Sequence, residues 1–347
     1  MSRLKQLLPL TVQTLRTLRR GSHERFCNSS VSTGSNELAM IRVPPLTFVL
    51  LLSWTFVRGQ SEVEQEFRLT AHAELVLLDV SVKDAKGGFV SNLKKDNFQI
   101  YENGKLQTIS QFGQEDTPIT VGLVLDDSHS MRPKRVEVIN AALAFVDASN
   151  PRDEIFVTHF NDEVRHGLPA GTTFTDDAEI LRQALFSNPP QGMTALYDGI
   201  LDALQQLDLG KQDKKSLVVI SDGGDNASKH QFKDVVNAVQ STRAIIYTVG
   251  IFDEDDPDRN PALLRRLASI SGGLAYIPQH LEELEEICRG IAKDIRNRYS
   301  IGYVPVRVND KSALRTIKVV ITGASGQKFI VHARTSYLLP ERSETKP

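Results

Sequence analysis

Val121-Gly122-Leu123-Val124-Leu125-Asp126-Asp127-Ser128-His129-Ser130-Met131 is the stretch that decides the fold. The apolar run from Val121 to Leu125 reads as a strand buried on both faces, as in a parallel sheet. It stops at Asp126, and oxygen-bearing side chains follow at alternate positions, Ser128 and Ser130. A helical pattern then begins, with Val136, Ile139, Ala142, Leu143 and Val146 on one face. Strand, polar turn and helix in that order place ligands in the crevice at the carboxyl end of a doubly wound sheet. One carboxylate and two hydroxyls there make a hard-oxygen site, suited to Mg²⁺ or Mn²⁺.

Working outward, strands and helices alternate from about residue 115 to 297, the pattern of a mostly parallel α/β sheet covered on both faces. Strands are predicted over 119–125, 154–160, 216–220, 244–249 and 273–277, with a short antiparallel edge at 164–168. Helices are predicted over 134–148, 177–187, 195–207, 231–242, 261–271 and 281–296. The flanking stretches are β in pattern. Val76, Leu78, Val80 and Val82 alternate with Leu77, Asp79 and Ser81. Residues 98–109 read as a hairpin with Asn103-Gly104 at its tip. After the helices, 299–304 is extended, 314–321 is a strand, and 328–337 is expected to be its partner across a turn at 323–326. Residues 60–114 read as a small β unit of their own, which together with 298–340 could form one β-sandwich.

Asp-x-Ser-x-Ser after a hydrophobic strand resembles the metal-ion-dependent adhesion site of the von Willebrand factor type A family. Taken alone the triplet is equally a helix cap or a turn. Two further segments match the family: Gly192-Met193-Thr194-Ala195-Leu196-Tyr197-Asp198 and Leu217-Val218-Val219-Ile220-Ser221-Asp222-Gly223. The resemblance implies Asp126, Ser128, Ser130, Thr194 and Asp222 as metal ligands, and a Rossmann-like fold of that family. It also implies that a partner's carboxylate completes the coordination of the ion. The order of β unit, type A region, Tyr299-to-Tyr303 strand and β-tail is similar to a group of secreted bacterial relatives.

The 347 residues carry a net charge of −2, unevenly distributed. Residues 1–59 hold eight Lys/Arg and two Glu, and the remainder holds 33 basic and 41 acidic side chains. A mature protein that acidic argues against nucleic acid as a partner. Residues 1–39 specify no packed fold and suggest that translation begins at Met40. Residues 40–59, with Arg42 ahead of an apolar core at 46–57, read as a signal peptide cleaved near Gly59. The predicted location is therefore secreted, periplasmic or cell-surface. The core is short for a membrane span, so membrane attachment requires that 46–57 stay uncleaved as an anchor. Cys27 and Cys288 are the two cysteines, and no structural disulfide is expected.

Asp253, Glu254, Asp255, Asp256 and Asp258 follow a predicted strand on the same sheet edge as Asp126, either as a solvated acidic loop or as a second cation site. Asp225 lies beside the ligands in a supporting or a turn-forming role, and Asp127 either supports them or is simply polar at the strand end. His129 occupies a variable position of the motif without a nucleophile or an acid in recognisable context, so no catalytic residue is assigned. The pattern is that of a binding protein and not an enzyme: it engages a protein or another carboxylate-bearing ligand through Mg²⁺. A Mg²⁺-dependent hydrolase and a scaffold with an empty metal site are the alternatives. Nothing in the pattern sets an oligomeric state.

Overall fold

The computed structural model describes residues 75–252, 259–305, 313–322 and 327–339. The upstream segment, the stretch read as a signal peptide and the acidic residues 253–258 lie outside them.

The buried run Val121–Leu125 forms the centre of the larger sheet. Its strand β5 (Ile119–Asp126) is buried at every position. It pairs in parallel with β6 (Glu154–Phe160) on one side and β8 (Lys214–Ser221) on the other. β9 (Ile245–Gly250) and β10 (Ala275–Tyr276) extend the sheet beyond β8, and β7 (Val164–His166) closes the other edge antiparallel to β6. β5 thus lies where the strand order reverses, and its carboxyl end faces a crevice. The helices are α1 (Arg135–Asp147), α2 (Ala178–Leu185), α3 (Leu196–Asp208), α4 (Phe232–Ser241), α5 (Pro261–Ser271) and α6 (Leu284–Arg296). α1 packs against α2 and α6, and α4 packs between α3 and α5. All six match the helices predicted from periodicity. One apolar core, centred on Leu123, Phe156, Val218 and Tyr247, fills the space between helices and sheet.

The flanking stretches form two four-stranded antiparallel sheets, each built from both ends of the chain. β1 (Val76–Asp84) lies between β11 (Tyr299–Tyr303) and β13 (Phe329–His332), and β4 (Ile109–Gly113) borders β11. The second sheet runs β14 (Ser336–Leu338), β12 (Leu314–Ile321), β2 (Phe98–Glu102), β3 (Lys105–Gln107). Leu78, Val80, Phe98, Ile100, Tyr299 and Ile301 belong to one core, so the early and late strands make one sandwich and the early β unit does not stand alone. The Asn103-Gly104 turn forms as predicted, with both residues at positive φ.

Two expected strand partnerships are corrected. Residues 328–337 do not form a single partner for β12: Phe329–His332 joins β1 in one sheet, and Ser336–Leu338 joins β12 in the other. The second arm of the hairpin is likewise divided between β3 and β4. In the first case the crossing at 333–335 is fastened by contacts remote in sequence. Arg334 Nη2 donates to the carbonyl of Thr242 (2.8 Å), and Thr335 N donates to that of Ile270 (3.3 Å).

The sandwich is joined to the α/β layer by a buried polar cluster. Arg298 Nη2 lies 2.8 Å from Asp294 Oδ2, and its Nη1 donates to the carbonyls of Asp79 (3.1 Å) and Gly272 (2.9 Å). Ser81 Oγ and Tyr247 OH each donate to Asp294 at 2.7 Å.

Candidate metal centre

The site forms where three loops meet at the carboxyl ends of β5, β6 and β8. Asp126 ends β5 and is only 2% exposed. Its Oδ1 accepts the Ser128 N–H (2.9 Å), and its Oδ2 accepts the Ser221 hydroxyl (2.6 Å). Ser128 Oγ lies 3.0 Å from Ser130 Oγ, which donates to Asp222 Oδ2 at 2.7 Å. Asp222 follows β8, is 3% exposed, and accepts the Gly224 N–H at 3.0 Å. The structure therefore brings Asp126, Ser128, Ser130 and Asp222 into one hydrogen-bonded group.

Thr194 reaches the same place through its backbone. Its N–H donates to Asn226 Oδ1 (2.9 Å), and its carbonyl accepts the N–H groups of Asn226 and Ala227. The residues just before it bind the first loop: His129 N donates to the Gly192 carbonyl (3.1 Å) and Gln191 N to that of Asp127 (2.8 Å). Gly192 holds a φ of +77°, and a side chain there would collide with Asp162. Asp162 in turn accepts the Met193 N–H at 3.2 Å, and the Asn161 carbonyl accepts Ala195 N at 2.7 Å. All five residues read from the sequence thus lie on three loops that are bonded to one another.

The electrostatics fit a cation. Burial, and then the nearby negative charge of Asp222, raise the Asp126 carboxyl from 3.8 to about 7, against the opposing hydrogen bonds from Ser128 and Ser221. Two buried carboxylates pressed together are costly unless a positive charge joins them. Among the described residues no group of three or more His, Cys, Asp or Glu side chains could hold a metal. The other oxygens here are hydroxyls, so the donor set is hard and carries little charge, which suits a divalent ion that retains waters. Asp126, Ser128, Ser130, Thr194 and Asp222 are the residues that would hold it.

Some supporting residues were not legible from the motif. Ser221 is fully buried, and its hydroxyl both donates to Asp126 and accepts the Gly223 N–H at 3.0 Å. Asp127 links β6, α1 and the loop before Thr194. Its N–H donates to the Phe160 carbonyl (2.8 Å), its carbonyl accepts Gln191 N, and its Oδ1 accepts Arg135 Nη1 at 2.7 Å. His159 Nδ1 lies 2.8 Å from Asp127 Oδ2, a close contact that is not aligned as a hydrogen bond. Only its place beside Asp126 at the strand end signalled Asp127, and nothing local signalled Arg135 or His159. Asp225 serves the turn: it accepts the N–H groups of Tyr197 (2.9 Å) and Ser228 (3.3 Å). His129 is exposed at the rim.

Comparisons with known proteins agree with this architecture. Residues 120–289 match the von Willebrand factor type A domain. An uncharacterized protein of Synechocystis is 28% identical over 182 residues, covering 48% of this chain and 39% of that protein, so the chain spans well under half of that relative. A von Willebrand factor type A protein of Catenulispora acidiphila is similar in structure (TM-score 0.47, 14% identity), covering 78% of this chain and 76% of that one. Proximal thread matrix protein 1 of the mussel byssus, solved with a zinc-occupied adhesion motif, gives a TM-score of 0.46 at 15% identity, covering 57% and 50%. Domains of this type are generally non-enzymatic interaction modules and commonly hold a divalent metal at this site. With the sheet order, the three bonded loops and the family match together, residues 120–289 form a von Willebrand factor type A domain.

Proposed function

We propose that this is an exported, non-enzymatic binding protein. Its Asp126, Ser128, Ser130, Thr194 and Asp222 hold Mg²⁺, or Mn²⁺, and engage a protein or other carboxylate-bearing ligand. The observation that carries the reading is the buried pair Asp126 and Asp222, each hydrogen-bonded to a serine hydroxyl, with the charge of Asp222 adding to the burial that disfavours ionised Asp126. A bound divalent ion neutralises that pair and, held by so few protein charges, takes an anionic oxygen from a partner. The full chain is expected to bind about one equivalent of Mg²⁺. Asp126→Ala is expected to abolish that binding and leave the far-ultraviolet circular dichroism unchanged. Equal binding by both proteins in calorimetry rejects the site.

Residues 40–59 act, in this reading, as a cleaved export signal, leaving 60–114 and 298–340 to flank a type A domain at 115–297. Among the described residues no helix is long and apolar enough to cross a membrane. The mature N-terminus is expected close to Gln60. Sequencing that finds Met1 intact on the purified protein overturns export.

A further inference from the structure

We infer that the seam between α1 and α2 beside the metal site is a docking surface for a partner-protein segment that pairs acidic with apolar side chains. The inference rests on the proposed metal site and specifies what the ligand carries besides the carboxylate on the ion. Three of the exposed large apolar side chains lie on segments bonded to one another along this seam: Met193 (53% exposed), Val136 (64%) and Phe186 (57%). Met193 directly precedes Thr194, and its neighbour Gly192 is bonded to His129. Val136 follows Arg135, whose Nη2 donates to the carbonyl of Leu185, the residue before Phe186 (3.4 Å). Between them the exposed Arg132 reaches the Pro190 carbonyl at 3.4 Å. Single exposed apolar residues need no explanation, but several converging beside a binding site mark an interaction surface.

Charge identifies the occupant. Arg132 is the exposed cation on this side, so an acidic side chain is favoured there as well as on the ion. Asp162 is the acidic group beside Met193, and it is engaged by the Met193 N–H. A segment that places one carboxylate at the ion can lay apolar side chains over Met193, Val136 and Phe186 and present a second acid to Arg132. Such contacts give apolar anchors surrounded by polar groups, the usual anatomy of a recognition surface.

The test uses the full chain and an immobilised library of hexapeptides. Each peptide has one fixed Glu, with its neighbours varied among Leu, Phe, Ser, Glu and Lys. The library is probed in Mg²⁺ and in EDTA, beside immobilised uronic-acid polysaccharide. Mg²⁺-dependent retention is expected to favour peptides with Leu or Phe near the fixed Glu and a second Glu. Val136→Ser combined with Phe186→Ser is expected to weaken the apolar preference about tenfold. Arg132→Glu is expected to remove the preference for the second acid. Both variants should titrate with Mg²⁺ like the wild type, because they touch none of the metal ligands. Unchanged preferences in the variants overturn the surface. Mg²⁺-dependent retention on the polysaccharide alone, or Mg²⁺-dependent self-association in sedimentation, overturns the partner class and leaves the metal site standing. Absence of Mg²⁺ binding overturns both the metal site and the surface built beside it.

Discussion

Two of the buried polar clusters in this protein resolve their charges in opposite ways. At the joint between sandwich and sheet, burial pushes the Asp294 carboxyl up. The Arg298 guanidinium and the hydroxyls of Ser81 and Tyr247 outweigh that, and hold it below the usual carboxylate range. At the metal face, Asp126 is buried to a similar degree but faces a second carboxylate, and it rises to about 7. The joint carries its own countercharge and so fixes the structure. At the proposed metal site a bound ion would supply that countercharge. Buried polar chemistry is structural where its charges close among themselves and binding where they do not.

The joint should show the largest effect. Asp294→Ala leaves Arg298 buried beside Tyr247 without its partner, and is expected to cost about 3–5 kcal/mol in urea unfolding. Replacing both residues, Asp294→Leu with Arg298→Met, should restore most of that loss. If the single variant unfolds with the wild-type midpoint, the joint is not holding the two layers together.

The pH response separates the clusters next. Asp126 has a folded value above its unfolded one, so its ionised form opposes folding. Metal-free stability should fall as pH rises from about 4 to about 7, by about 4 kcal/mol in total. Asp294, held low, contributes stability at neutral pH that is lost only as pH falls through its lowered value. In EDTA the wild type should therefore lose stability between pH 5 and pH 8 relative to Asp126→Asn. Parallel pH profiles for the two proteins would remove the contrast. Because the ion requires the ionised carboxylate, Mg²⁺ affinity should also weaken about tenfold per pH unit below 7.

The smallest effect sharpens the metal side. Ser221→Ala removes the hydroxyl that donates to Asp126 Oδ2 and leaves all five proposed ligands in place. Mg²⁺ affinity is expected to drop about 10- to 100-fold with little change in fold. A calorimetric titration indistinguishable from wild type would mean that Ser221 does not orient Asp126.

Much of this was legible in the chain because it is local. The continuous apolar run 121–125 is what a strand buried on both faces requires, and the period in α1 through α6 is what an amphipathic helix requires. Each ligand position could be read by resemblance because it lies within a few residues of a strand end or loop. Ser221 was harder to assign: it adjoins Asp222 in the matched segment, but its hydroxyl serves Asp126, 95 residues away. Asp127 was visible as a polar residue, but its partners Arg135 and His159 come from other elements.

The sequence by itself determined the order of strands and helices, the Asn103-Gly104 turn and the run of oxygen-bearing residues after β5. These follow from backbone preference and periodicity within a dozen or so neighbours. Only the tertiary structure decided that early and late strands interleave in two sheets, that 328–337 divides between them, and that Arg298 finds Asp294 and Tyr247 in a dry interior. Those outcomes depend on which surfaces exclude water together. That balance is struck between residues as far apart as Ser81 and His332, 251 positions, where local pattern carries no information about the partner.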